Sequence, residues 1–135
     1  MIVDSSAIIA ILQDEPDAKT FAAALMRDTA RRMSIVTWVE AAIVTDGNRN
    51  PVLSRRFDDL LRDIHMRVET VTPRQAEIAR QAYRDFGKGR HKAGLNFGDC
   101  FSYALAKEMD EPLLFKGTDF ARTDVEVAEV KDLNI

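Results

Sequence analysis

The sequence predicts an α/β fold built on a mainly parallel β-sheet. Two observations carry this. Short apolar, β-rich runs alternate with longer stretches of helical spacing. The 135 residues are 46% hydrophobic and 30% charged, the balance of an ordinary globular domain able to bury its own core. Right-handed crossovers are expected between the strands.

The elements follow in order. Residues 1–3 form a short apolar strand that ends at Asp4. Ser5 or Ser6 caps a helix through Ile11 or Leu12, with Ile8, Ile9 and Leu12 on one face. Pro16 suits the first turn of a second helix, to about Arg27, with Phe21, Ala24 and Leu25 inward. Residues 32–35 read as the second strand. Thr37 then opens a helix from Trp38 to about Asp46, closed by Gly47 and Asn48. Pro51 starts another through His65, with Phe57, Leu60, Leu61 and Ile64 at helical spacing. Residues 68–71 are β-rich. Thr72 and Pro73 are a cap and a proline at the first helical position, opening a helix to about Phe86. Residues 87–94 form a loop rich in glycine and basic side chains. A helix runs from Asn96 to about Met109, with Cys100, Tyr103, Ala104 and Ala106 for the core. Residues 113–115 form a strand, Lys116 and Gly117 a turn, residues 119–122 a helical turn, and residues 125–130 a last strand.

No repeat, linker or low-complexity tract is present, so one domain over residues 1–135 is expected. No run reaches the ~20 apolar residues of a membrane span, and no signal peptide is read at the start. Cys100 has no partner for a disulfide, so the expected compartment is the reducing cytoplasm.

In a parallel α/β sheet, ligands bind beyond the carboxyl ends of the strands. Four acids stand there. Asp4 closes the first strand, and Asp119 lies just past residues 113–115. Glu40 is in the first turns of the helix after the second strand, and Asp99 in the first turn of the helix opened by Asn96. Each has an ordinary structural use; Asp99, for example, complements a helix dipole. Their shared placement points further. Grouped carboxylates repel and raise one another's pKa, and a hard divalent cation relieves this. Water on such a cation is acidified enough to attack a phosphodiester. No His/Cys set has zinc spacing; His65 reads as a surface residue and His91 as part of the basic loop.

The net charge of −3 argues against nucleic acid, but setting the four carboxylates aside moves it to +1. Basic residues cluster at Arg27, Arg31 and Arg32, at Arg49, Arg55 and Arg56, and at Lys88, Arg90, His91 and Lys92. Each cluster alone reads as a solvated face. The loop bearing Lys88, Arg90 and Lys92 is the first candidate for steering a nucleic-acid backbone, being near Asp99 in sequence. Trp38 and Phe120 are read as core residues first, with stacking on a base as a second use.

At these residues the sequence resembles the PIN-domain nucleases, and within them the VapC toxins of bacterial toxin–antitoxin pairs. Four segments carry the resemblance in the family's order: MIVDSSAIIAIL with Asp4, SIVTWVEA with Glu40, GLNFGDCFSYALA with Asp99, and PLLFKGTDFARTDV with Asp119. The resemblance implies a three-layer α/β/α sandwich and RNA cleavage dependent on Mg²⁺ or Mn²⁺. It also implies a homodimer and inhibition by a cognate VapB-type antitoxin. It maps the catalytic acids onto Asp4, Glu40, Asp99 and Asp119, with Asp4, Asp99 and Asp119 as metal ligands. Glu40 would orient or deprotonate the attacking water, or help hold a second ion. Ser6, Asn96 and Thr118 take supporting places near the metal. Many relatives carry a further acid in the last motif; here Thr118 adjoins Asp119, and Asp124 follows, which leaves the number of ions open. The partner surface is expected on the helices at residues 15–27 and 38–46, through Phe21, Leu25 and Ile43.

Two other readings use the same elements. A catalytically silent PIN-like module would bind RNA or protein without cleaving it; the presence of all four acids argues against it. A Mg²⁺-binding phosphoacceptor receiver domain needs an acidic pair at the first strand and an Asp after a middle strand. Here Asp4 stands alone, and Lys116 by itself does not restore that pattern.

Overall fold

The structure is a computed structural model that describes residues 1–131, so residues 132–135 of the expected domain lie outside the described residues. Four strands, β1 (Ile2–Val3), β2 (Arg32–Ser34), β3 (Arg67–Glu69) and β4 (Leu113–Leu114), form one parallel sheet in the order β3-β2-β1-β4. Six helices surround it: α1 (Ser5–Leu12), α2 (Ala18–Arg27), α3 (Ile35–Gly47), α4 (Pro51–Asp63), α5 (Pro73–Phe86) and α6 (Phe97–Met109). A 3₁₀ turn, Phe120–Arg122, follows β4.

Alternation along the strands builds the layers. Val3 and Leu114 face one core with Ala7 and Ile8 of α1, Phe21 and Leu25 of α2, and Phe57 and Leu61 of α4. Ile2 and Leu113 face the other, with Ala79 and Ala82 of α5 and Cys100, Tyr103, Ala104 and Leu105 of α6. The chain is therefore the α/β/α sandwich expected, with α1–α4 on one side of the sheet and α5 and α6 on the other.

The register places Ile2 beside Arg32 on one flank and Leu113 on the other, with Val3 beside Leu114. From β1 the chain steps outward to β2 and β3, then returns to add β4 on the far side of β1. The reversal lies between β1 and β4, the place where a parallel sheet opens a crevice at its carboxyl edge. Asp4 and Asp119 follow those two strands.

Several boundaries differ from the sequence expectation. The second strand stops at Ser34, whose Oγ accepts from Val36 N at 3.2 Å and caps α3; the helix begins at Ile35. Thr37 is thus not a cap, and its side chain is fully buried. Pro16 precedes α2, which starts at Ala18 without a side-chain cap. β3 begins one residue early, at Arg67, because it pairs along β2 from Arg32 to Ser34. α4 ends at Asp63, before a left-handed His65.

The last expected strand, residues 125–130, does not form. It touches the sheet at one parallel bridge, Val127 to Leu113, through Leu113 N to Glu126 O and Ala128 N to Leu113 O. β4 is two residues long and offers too short an edge for more. Phe21 and Leu25 are core rather than partner surface, at 6% and 1% exposure, whereas Ile43 is 66% exposed. Phe120 is also core, its ring tilted against Phe115 at 5.2 Å between centroids, and its burial removes it from base stacking.

Candidate active site

β1 ends by carrying Asp4 out of the sheet with its carboxyl almost wholly buried, at 2% exposure. A buried charge survives only when hydrogen-bonded. Oδ2 of Asp4 accepts from Ser6 N at 3.1 Å and Ser6 Oγ at 2.7 Å, so Asp4 is also the N-cap of α1. Oδ1 accepts from Ser102 Oγ of α6 at 2.7 Å. Ser6 Oγ in turn accepts from Lys116 N at 2.9 Å, which ties the loop after β4 to the end of β1.

Glu40 lies on α3 and receives Ser5 Oγ at 2.7 Å on Oε1. Its other face lies against the backbone of Gly98 on α6. A Cβ added at Gly98 would stand 2.0 Å from Glu40 Oε2 and 2.7 Å from Cδ. Only glycine lets the carboxylate approach this closely. Asp99 comes next in the chain. Asn96 and Asp99 form a capping box: Asn96 Oδ1 accepts from Asp99 N at 2.9 Å, and Asp99 Oδ2 accepts from Asn96 N at 3.0 Å.

Burial is the main force on Asp99, and it raises the pKa to about 7 from 3.8. The backbone hydrogen bond at Asn96 opposes this, while the charges of Asp4, Glu40 and Asp119 push the same way. All four acids therefore belong to one electrostatic cluster. Asp119 opens the 3₁₀ turn and is exposed, with no side-chain capping bond.

Among the described residues, no three Asp, Glu, His or Cys side chains are drawn into a ready-made metal cage. The donors nonetheless suit a hard cation. They are all oxygen, Asp4 is buried, and burial together with the neighbouring acids disfavours the anion of Asp99. Such a cation is commonly held by one or two carboxylates and keeps several of its waters.

The supporting residues divide. Ser6 holds Asp4 directly, Asn96 acts on Asp99 through the capping box, and Thr118 is exposed beside Asp119. Asp124 is held away from the cluster by Tyr103 Oη and Lys107 Nζ, toward the opposite end of α6 from Asp99. Those partners keep its pKa low, the tyrosine hydrogen bond most of all. Lys116 pairs with Glu15 at 3.3 Å and Asp17 at 3.1 Å, not with Asp4, which removes the lysine a receiver domain would use. Lys88, Arg90 and Lys92 are exposed, and Arg122 Nη1, just beyond Asp119, donates to Lys92 O at 3.0 Å. The basic loop is thereby fastened to the segment that carries Asp119. Sequence reasoning missed Ser5, Gly98, Thr37 and Ser102; only the NFGD segment, with a glycine beside an acid, hinted at the second.

A parallel sheet with four acids beyond its carboxyl ends defines an α/β protein with an acidic cluster at that edge. The chain matches the PIN domain over residues 1–126. Ribonuclease VapC28 of Mycobacterium tuberculosis is 56% identical over 129 residues, 95% of this chain and 97% of that protein. Among solved structures, the fold is similar to VapC20 of Mycobacterium tuberculosis, a sarcin-ricin loop cleaving toxin. The TM-score is 0.75 and the identity 17%, covering 96% of this chain and 98% of that one. It is also similar to VapBC2 of Rickettsia felis bound to a promoter DNA fragment, with a TM-score of 0.75 and 9% identity over 95% and 96% of the chains. The chain belongs to the PIN-domain family.

Two outcomes follow from this geometry. Gly98→Ala should favour the α6 helix, by up to about 1 kcal/mol in propensity, yet dislodge Glu40. RNA cleavage should fall roughly tenfold to a hundredfold while Tm stays near that of the wild type; undiminished cleavage contradicts the placement of Glu40. Asp99 has a raised folded-state pKa, so its stabilising contribution is complete below pH 3.8 and is lost as pH rises through about 7. In EDTA at pH 8, Asp99→Asn should therefore be more stable than the wild type, by roughly 5 °C in Tm, as about 1–2 kcal/mol would give. The gap should close toward pH 4, and a variant no more stable at pH 8 contradicts the cluster.

Proposed function

We propose that the protein is the toxin of a toxin–antitoxin pair, an endoribonuclease that hydrolyses RNA phosphodiester bonds with a divalent cation. The observation that carries the cation-dependent part of this reading is the cluster itself: Asp99 is destabilised as an anion by its burial and by Asp4, Glu40 and Asp119. The family membership and the relatives named ribonuclease VapC support it.

Asp4, Asp99 and Asp119 would hold the cation, Mg²⁺ with Mn²⁺ able to substitute. When bound, the cation supplies an acidified water and neutralises charge developing on the phosphate. Glu40, held by Ser5 and seated against Gly98, takes the proton of the attacking water or fixes its orientation. Lys88, Arg90 and Lys92 draw the RNA backbone toward the acids. Tyr83 lies 5.4 Å beneath the Arg90 guanidinium and steadies it.

Val39, Ile43 and Val44 of α3 and Phe97 of α6 leave an exposed apolar strip beside Glu40. We assign this strip to protein partners, a VapB-type antitoxin and a second copy of the chain, in place of Phe21 and Leu25. Among the described residues, no helix is long and apolar enough to cross a membrane. We place the protein in the cytoplasm, where Cys100 stays reduced; burial pushes its thiol up to about 11, which keeps it inert.

RNA cleavage by the wild type should require added Mg²⁺ or Mn²⁺ and stop in EDTA. Asp4→Asn should lower the rate by roughly a hundredfold or more with circular dichroism unchanged. Full activity in that variant would sink the assignment.

A further inference from the structure

Two hydroxyls deep between the helices have no part in the acidic set, yet one of them holds it in place. Ser102 Oγ of α6 lies 2.7 Å from Asp4 Oδ1 and 3.0 Å from Thr37 Oγ1 of α3. Ser102 and Thr37 are fully buried, and Asp4 nearly so.

The direction of these bonds follows from counting protons. A carboxylate only accepts, so the single Ser102 proton goes to Asp4. Ser102 Oγ must then accept from Thr37. The chain runs Thr37 to Ser102 to Asp4, each hydroxyl polarising the next. It also joins the elements of the site: Thr37 precedes Glu40 by one helical turn on α3, and Ser102 follows Asp99 by one turn on α6.

A buried helical hydroxyl has a simpler option, shown by Thr45, whose Oγ1 donates to Ala41 O one turn back at 2.7 Å. Ser102 instead donates out of its helix to the strand end. Its neighbours Ala104 and Ala106 show that alanine packs well in this stretch. A hydroxyl there is costly unless used.

We propose that Ser102, backed by Thr37, is a positioning residue that fixes the Asp4 carboxylate for cation binding. The two hydroxyls hold Oδ1 from the α6 side as Ser6 holds Oδ2 from the α1 side, so the carboxylate keeps one orientation. This rests on the metal-dependent reading above.

The test is calorimetric titration of the whole chain with Mn²⁺, alongside RNA cleavage at varied Mn²⁺. Ser102→Ala should weaken Mn²⁺ binding roughly tenfold to a hundredfold, the usual scale for a residue behind a metal ligand. The Mn²⁺ needed for half-maximal cleavage should rise in proportion, while the KM for RNA at saturating Mn²⁺ stays unchanged. Thr37→Val, close in shape but without the hydroxyl, should weaken binding less, and Thr37→Ser should restore it. If Ser102→Ala does not fold, the Thr37 pair makes the same comparison. Mn²⁺ affinity within twofold of the wild type in both Ser102→Ala and Thr37→Val overturns the proposal. A wild type that binds no Mn²⁺ overturns the metal reading and this proposal with it, whereas binding by the wild type that Asp4→Asn abolishes upholds that reading and isolates the role of Ser102.

Discussion

Asp4 is a carboxylate at the end of a central strand with almost no access to water, and much of the surrounding structure serves to hold it there. Removing an ion from water costs several kcal/mol even after relaxation. Here the cost is offset by three donors on two oxygens: Ser102 on one side, and the backbone and hydroxyl of Ser6 on the other. Those donors come from α6 and α1, and Ser6 is itself anchored by the loop after β4. β1 lies between β2 and β4, so any shift of its register moves Asp4 relative to every other acid. The sheet order, the packing of α1 and α6, and the loop after β4 are thus parts of one requirement.

The other three acids are held less tightly, each in its own way. Glu40 is pinned by one hydroxyl and by the missing side chain at Gly98. The capping box returns to Asp99 only part of what burial and its neighbours' charges take, so its pKa stays raised. Asp119 is exposed and free of a capping bond. A gradient from fixed to free suits a site that binds a hydrated cation. On the proposed reading, buried Asp4 would set the position of the cation and exposed Asp119 would adapt to its waters. Asp99 bears the largest cost as an anion, first from burial and then from the charges of Asp4, Glu40 and Asp119.

What was legible in the sequence was local. Thr72 and Asn96 cap their helices as their residue types predict, and the acids fall at strand ends because the α/β alternation fixes where strand ends are. Thr37 is not a cap because Ser34 takes that place, and the Thr37 hydroxyl instead meets Ser102 across the core, a partner no local rule points to. Ser102 itself is 98 residues from Asp4 along the chain, so only folding reveals the pair. The stretch at 125–130 has the composition of a strand, but the two-residue β4 offers it a single pairing position. Phe21 and Leu25 were read both as inward and as partner surface; the packing of α2 on α1 settles them in the core. The ribonuclease reading needed the family resemblance, since acids at a sheet edge alone specify only a cation.

We propose above that the four carboxylates form one cation-binding cluster. This is tested most directly by following the Asp99 carboxyl by carbon NMR against pH, with and without Mg²⁺. In the metal-free protein its ionisation should centre near pH 7, as burial and the three neighbouring acids require. Saturating Mg²⁺ should move it back to or below the ordinary carboxylate range. An Asp99 that titrates near 3.8 without metal, or one that Mg²⁺ leaves unmoved, would contradict the account.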